Sequence, residues 1–100
     1  MRIRYRPAAV AQLDTIFVRI AANNPGAAEK VISTIKRSIE RLADFPYSAR
    51  PSKIAGIREL SIVRYPYLIF YAVDEDADEV QILRIQHTSQ EPLGRLDQIH

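Results

Sequence analysis

Four side chains in the second half of the chain could bind or act on an anion. They are Arg58, Arg64, Arg84 and His87, which lie within or at the ends of short runs rich in β-branched and aromatic residues. Guanidinium groups bind phosphates and carboxylates, and an imidazole can exchange a proton near neutral pH. The set therefore suits either chemistry on a phosphodiester or binding to the acidic surface of a partner.

Cleavage of RNA through its 2′-hydroxyl requires a proton acceptor, a proton donor and cations around the phosphate. His87 supplies one titrating group, whereas arginines stay protonated at any ordinary pH. Glu59 and Glu91 are available as a second group, but strand parity argues against Glu59 and a place in the C-terminal tail argues against Glu91. The lack of a clear second group favours binding over catalysis. As a lone strand-end histidine, His87 also fits a structural hydrogen bond to the backbone.

Arg84 has two interpretations, because it lies between Leu83 and Ile85 in an apolar strand where an unpaired buried charge is costly. The simpler one is a structural salt bridge to Glu59 or Glu79. The other is a cluster of guanidinium groups that receives a phosphate or the acidic residues of a partner.

The segment that carries these residues predicts an antiparallel meander of three strands. We expect the strands at residues 58–64, 67–73 and 80–87, separated by Pro66 and by an acidic cluster around Asp76.

The third strand of this meander is predicted to lie in the centre of the sheet. Val80 and Ile82 share one parity, while Leu83 and Ile85 share the other. A strand that is apolar on both faces is typical of a position between two neighbours.

The first half of the chain must cover this sheet. Residues 1–5 alternate as a short edge strand, and two amphipathic helices follow, one from Pro7 and one over residues 25–43 with Asn24 as its N-cap. The short connection predicts an antiparallel helical hairpin packed on one face of a mainly antiparallel sheet, which is an α+β fold. The side chains expected in its core are Leu13, Phe17, Val31 and Ile35.

Two segments fall outside these elements. In the loop over residues 44–56, we expect Phe45 and Tyr47 to pack under the hairpin and Arg50 and Lys53 to face solvent. We expect residues 89–100 to form a C-terminal tail, with a short turn of helix at residues 93–99, on a single domain of residues 1–100.

Composition excludes several classes of site. The chain has no cysteine, and one of its two histidines is the last residue, so we expect neither a metal nor a cofactor. The net charge of +2 is too small to indicate nucleic acid by itself. No apolar run reaches the length of a membrane span and no signal peptide is recognisable, so we expect a cytoplasmic protein with no membrane partner.

Taken in order, these motifs resemble the RelE/ParE superfamily of bacterial toxins. The matching runs are IAGIREL at residues 54–60, VRYPYLIFY at residues 63–71 and ILRI at residues 82–85, followed by His87. The helical hairpin broken before Pro25 is similar too. The resemblance implies the toxin of a type II toxin–antitoxin pair, with a cognate antitoxin of the ParD type as partner in a hetero-oligomer.

The branch of the superfamily decides the expected target. RelE-like members cut messenger RNA on the ribosome with basic residues of the sheet and a tyrosine or histidine near the C-terminus, whereas ParE-like members poison DNA gyrase. Arg58, Arg64 and Arg84 match basic positions of the fold. Thr88 stands where some ribonuclease members carry tyrosine, and Gln90 stands where many ParE-like relatives carry arginine. The aromatic run around Pro66 resembles ParE more closely.

Three functions follow from the resemblance. We favour a non-enzymatic gyrase inhibitor in which Arg58, Arg64 and Arg84 bind a partner. The alternatives are a ribosome-dependent endoribonuclease, in which these arginines and His87 are the catalytic candidates, and a module that only binds its antitoxin.

Overall fold

Two helices cover one face of a five-stranded sheet in the computed structural model, which describes residues 1–89. The sheet order is β1-β5-β4-β3-β2, with β1 parallel to β5 and all other pairs antiparallel. This arrangement confirms the predicted α+β fold with its N-terminal strand. The elements are β1 (Arg2–Tyr5), α1 (Pro7–Ala21), α2 (Pro25–Glu40), a 3₁₀ turn (Arg41–Ala43), β2 (Arg50–Pro51), β3 (Arg58–Ser61), β4 (Tyr67–Asp74) and β5 (Glu79–His87).

Local sequence signals define the helical hairpin. Pro7 and Pro25 each occupy the first turn of a helix, where the missing N–H costs nothing. The side-chain oxygen of Asn24 accepts a hydrogen bond from the backbone N–H of Ala27 at 3.0 Å, as an N-cap does. Within residues 1–89, neither helix is long and apolar enough to span a membrane.

The core lies between the hairpin and the sheet, and it contains three of the four side chains predicted to be buried. Leu13, Val31 and Ile35 are at most 8% exposed, whereas the prediction for Phe17 is wrong, since this side chain is 37% exposed. Phe17 faces a groove between the two helices and not the sheet. The apolar stripe of α1 is therefore wider than the surface that the sheet covers.

A bulge in β5 changes which of its side chains reach the core. Phe70 of β4 lies opposite Arg84, but the next residue, Tyr71, lies opposite Ile82, so β5 has one extra residue at Leu83. The apolar residues of β5 change parity after Ile82, and this change had predicted a strand with two apolar faces. It instead marks the bulge, because Val80, Ile82 and Ile85 all belong to the one core. β5 lies between β1 and β4, and β4 takes the central position that we predicted for β5.

Among the described residues, the second half of β5 has no strand neighbour on one side. β1 pairs only with residues 79–82, and beyond them α1 supplies a substitute partner. The side-chain oxygen of Gln12 accepts a hydrogen bond from the backbone N–H of Ile85 at 2.7 Å, and this contact ties α1 to β5 just after the bulge.

The loop over residues 44–56 differs from expectation. Phe45 is 64% exposed and Tyr47 is 50% exposed, so neither packs under the hairpin. Tyr47 instead donates its hydroxyl hydrogen bond to Glu75 in the β4–β5 turn. Arg50 and Lys53 face solvent as expected. Residues 90–100, which include most of the predicted tail and its helical turn, lie outside the described residues.

The bond between Gln12 and Ile85 gives a direct test of this packing. Gln12→Met preserves the volume of the side chain but removes the acceptor, so we expect a loss of about 1–3 kcal/mol in the free energy of unfolding. Gln12→Glu keeps an acceptor oxygen and serves as the matched control. Urea denaturation measures both variants, and equal stability of Gln12→Met and the parent chain would contradict this account.

Candidate functional site

A row of side chains crosses the sheet on the face opposite the helices. Arg84 of β5, Phe70 of β4, Glu59 of β3 and Arg50 of β2 are cross-strand neighbours in this order. Arg50 Nε lies 2.6 Å from Glu59 Oε1. Phe70 is 1% exposed and separates Arg84 from Glu59 by two strand spacings, about 10 Å. The expected salt bridge from Arg84 to Glu59 is therefore wrong, since Glu59 pairs with Arg50.

The alternative partner, Glu79, is also engaged elsewhere. Its carboxylate lies 3.5 Å from the guanidinium of Arg2 and 3.7 Å from that of Arg4, because β1 runs directly beside this part of β5. Among the described residues, no carboxylate lies within ion-pairing distance of Arg84. Arg84 is itself half-buried.

Arg58 lies on the helix-facing side of the sheet, opposite Tyr71. Its Nη1 donates to the carbonyl oxygen of Ala49 at 2.7 Å, and its guanidinium lies 5.0 Å from the ring centre of Tyr47. Tyr71 donates its hydroxyl to the carbonyl of Pro46 at 2.8 Å, and burial raises the pKa of Tyr71. Both side chains hold the loop at residues 46–49 against the sheet.

His87 is oriented by its chain neighbours. Its Nδ1 accepts a hydrogen bond from the backbone N–H of Ser89 at 3.1 Å, and the Ser89 hydroxyl lies 2.7 Å from the same nitrogen. The imidazole also makes an edge-to-face contact with Tyr67, with 5.3 Å between ring centres. These contacts fit the structural interpretation of a strand-end histidine.

The four candidate residues do not all lie on one face of the sheet. Arg58 and Arg84 lie on opposite faces of the sheet, while Arg64 is exposed in the β3–β4 turn and His87 ends β5. Within residues 1–89, no three histidine or acidic side chains come together in a way that could hold a metal ion. The arrangement therefore divides the positive charges between the two faces of the sheet and the β3–β4 turn.

An apolar groove between the helices is a feature that the sequence analysis missed. Its volume is about 420 Å³, and Asp14 and Lys36 provide its charged lining. Val10 and Phe17 both line the groove, and their side chains are 54% and 37% exposed. Spacings of three and four residues along α1 identified its apolar side chains. The same spacings do not show which of these side chains face the groove and which face the core. The full lining is Tyr5, Val10, Leu13, Asp14, Phe17, Ile32 and Lys36.

Comparison with known proteins agrees with this fold. Residues 3–92 match the family model described as the ParE toxin of the type II toxin–antitoxin system parDE. The protein Y4kP of Sinorhizobium fredii, named as a candidate toxin, is 37% identical over 90 residues, which cover 90% of this chain and 91% of that protein.

Solved structures show the same similarity. A chain of the chromosomal ParDE toxin–antitoxin system from P. aeruginosa is 28% identical, with a TM-score of 0.79 over 89% of this chain and 97% of that one. The isolated E. coli RelE toxin has a TM-score of 0.66 over 99% of this chain and 98% of that one. Its identity is only 10%, so this likeness concerns the fold alone.

The bonds of Arg58 predict a role in stability. Arg58→Ala should lower the free energy of unfolding by about 1–2 kcal/mol, because the carbonyl oxygen of Ala49 loses its charged donor. Arg64→Ala, in an exposed turn, is the matched control and should change stability by less than about 0.5 kcal/mol. Thermal and urea unfolding compare the two, and equal effects would refute the distinction.

Proposed function

Since this chain belongs to the ParE toxin family of type II toxin–antitoxin systems, we propose that it inhibits DNA gyrase by direct binding and that a cognate antitoxin neutralises it. Action on gyrase requires the cytoplasm, which is where we propose that the protein works. The positive charges of the sheet and its turns then serve as binding contacts and not as catalysts.

The observation that carries the proposal is the separation of the candidate catalytic groups. Each positioned general acid or base contributes about 10²–10⁴-fold to a reaction of the ribonuclease type. His87 accepts a hydrogen bond from Ser89 at Nδ1, Arg58 donates to the backbone of its own chain, and Arg84 lies on the opposite face of the sheet from both. A ribonuclease would need these groups around one phosphate. A binding protein needs only accessible charges, such as Arg64 and Arg84.

The antitoxin is proposed to fill the groove between α1 and α2. Its surface combines exposed apolar side chains with one acidic and one basic residue at the rim. An amphipathic protein segment suits such a groove, because its apolar face removes Val10 and Phe17 from water and its polar face remains in solvent. The P. aeruginosa relative belongs to a toxin–antitoxin system, and the E. coli RelBE structure, similar in fold, is a toxin–antitoxin complex. Both support an antitoxin as the occupant.

Replacement of the histidine tests the mechanism. We expect His87→Ala to leave growth inhibition largely intact and purified gyrase inhibited, because no proton transfer is needed. Induction of the DNA-damage response and the integrity of messenger RNA are measured in the same cells, with a folding control for each variant.

Each result of that experiment has a defined meaning. Loss of toxicity in a stably folded His87→Ala protein, together with cleavage of ribosome-bound messenger RNA by the parent chain, would establish the ribonuclease alternative. A parent chain that binds its antitoxin but affects neither gyrase nor messenger RNA would be the antitoxin-binding module.

The groove is tested by a pair of substitutions on α1. Phe17→Ser should weaken antitoxin binding by about 10–100-fold, because it removes an apolar anchor from the proposed contact. Val18→Ser is the matched control, since Val18 is 59% exposed on the same helix but does not line the groove. Calorimetric titration with the purified antitoxin measures both variants. Equal affinities of Phe17→Ser and Val18→Ser would exclude the groove.

A further inference from the structure

A second cleft lies on the other side of α2, beside the turn between β3 and β4. Its volume is about 280 Å³, and its polar lining is Thr34, Ser38, Arg41, Ser48, Ser61 and Arg64. Leu42, Leu60, Ile62 and Val63 provide its apolar part. None of the residues that line this cleft lines the groove between the helices.

The chain builds the cleft from two directions. Thr34, Ser38 and Arg41 follow spacings of four and three, which place them on one side of α2 and the turn that continues it. Arg64 comes from the opposite wall, in a turn closed by the hydrogen bond from Ile62 N to the carbonyl of Tyr67 at 3.0 Å. Two guanidinium groups thus line one small cleft.

The hydroxyl donors and the guanidinium groups of the cleft differ in whether the chain itself uses them. Ser38 and Ser48 donate their hydroxyl hydrogens to backbone carbonyls, at 2.9 and 2.8 Å. In the described part of the chain, by contrast, neither Arg41 nor Arg64 has a carboxylate within ion-pairing distance. No acidic residue lines the cleft. The two like charges therefore share a site that an anion would stabilise.

Val63 indicates what kind of anion enters. It is the neighbour of Arg64 at the tip of the turn, and its relative exposure of 103% means that nothing shields it from water. A wholly exposed β-branched side chain beside two guanidinium groups fits a surface that mixes carboxylates with apolar groups. Protein surfaces have that mixture, whereas the backbone of a nucleic acid presents phosphates.

We infer that this cleft binds carboxylate side chains of an acidic segment on the protein target of the toxin, with Val63 packing beside them. The inference rests on the proposed function for the identity of that target, which is gyrase. Arg41 and Arg64 make the ionic contacts. Because the cleft and the groove have no lining residue in common, the contact with the target is separate from the contact with the antitoxin.

The chemistry is tested first without the target. NMR signals of the arginine Nε–Hε groups are followed during titration with a blocked tetraglutamate peptide, and in parallel with inorganic phosphate at equal ionic strength. We expect saturable shifts at Arg41 and Arg64 with the peptide and weaker shifts with phosphate. In the double variant Arg41→Gln and Arg64→Gln, the peptide should no longer cause saturable shifts in the NMR signals of the cleft. No peptide response, or a phosphate response that is equal or stronger, would overturn the inference.

The second test uses gyrase and the antitoxin. The double glutamine variant should bind gyrase at least tenfold more weakly than the parent chain, and its antitoxin affinity should change less than twofold. Arg37→Gln is the matched control, because Arg37 is also a basic residue in the last turn of α2 but does not line the cleft. Circular dichroism checks that each variant is folded.

The two proposals fail in different ways. If the parent chain and the double variant bind gyrase equally well, the inference is wrong and the proposed function stands. If the parent chain does not bind gyrase but the peptide still titrates Arg41 and Arg64, the carboxylate site stands and the proposed function is wrong.

Discussion

Burial of β5 against the two helices is the constraint on which the rest of the structure depends. Val80, Ile82 and Ile85 reach one core only because the extra residue at Leu83 shifts the register between β4 and β5. Without the bulge, strict alternation would turn Ile85 to the other face. Gln12 then accepts a hydrogen bond from the backbone N–H of Ile85, where β1 no longer runs alongside. One local irregularity therefore fixes both the core and the position of α1.

The same register distributes the charges. Arg84 follows the bulge on the face away from the helices, while Arg58, two strands away, lies on the face that the helices cover. A charge on the covered face needs partners, and Arg58 finds them in the backbone carbonyls of Tyr47 and Ala49. Arg58 therefore holds a loop, whereas Arg84 lies on the face that the helices leave uncovered. This division is one basis for the binding role that we propose for the surface.

Two recesses at different places on α2 give the molecule separate binding possibilities. The groove near Phe17 is mainly apolar, whereas the cleft at Arg41 and Arg64 combines positive charge with hydroxyl groups. Apolar surface contributes affinity through its removal from water, and guanidinium groups contribute orientation and specificity toward carboxylates. Under the proposed function, the groove serves the antitoxin and the cleft serves the target.

The sequence by itself determined the N-terminal strand, the helical hairpin and the three strands of the meander in their order, but not the two-residue strand β2. Helical spacing, Pro7, Asn24 and Pro25 act over a few residues, so the hairpin and the α+β arrangement were predictable, as was the burial of Val31 and Ile35. Only the tertiary structure decided that a parity switch is a bulge, that Phe17 faces a groove, and that Glu59 pairs with Arg50 instead of Arg84. Each of these depends on which strands become neighbours and in which register. The strand order and register depend on the burial of apolar surface over the whole chain, so a local sequence pattern cannot predict them.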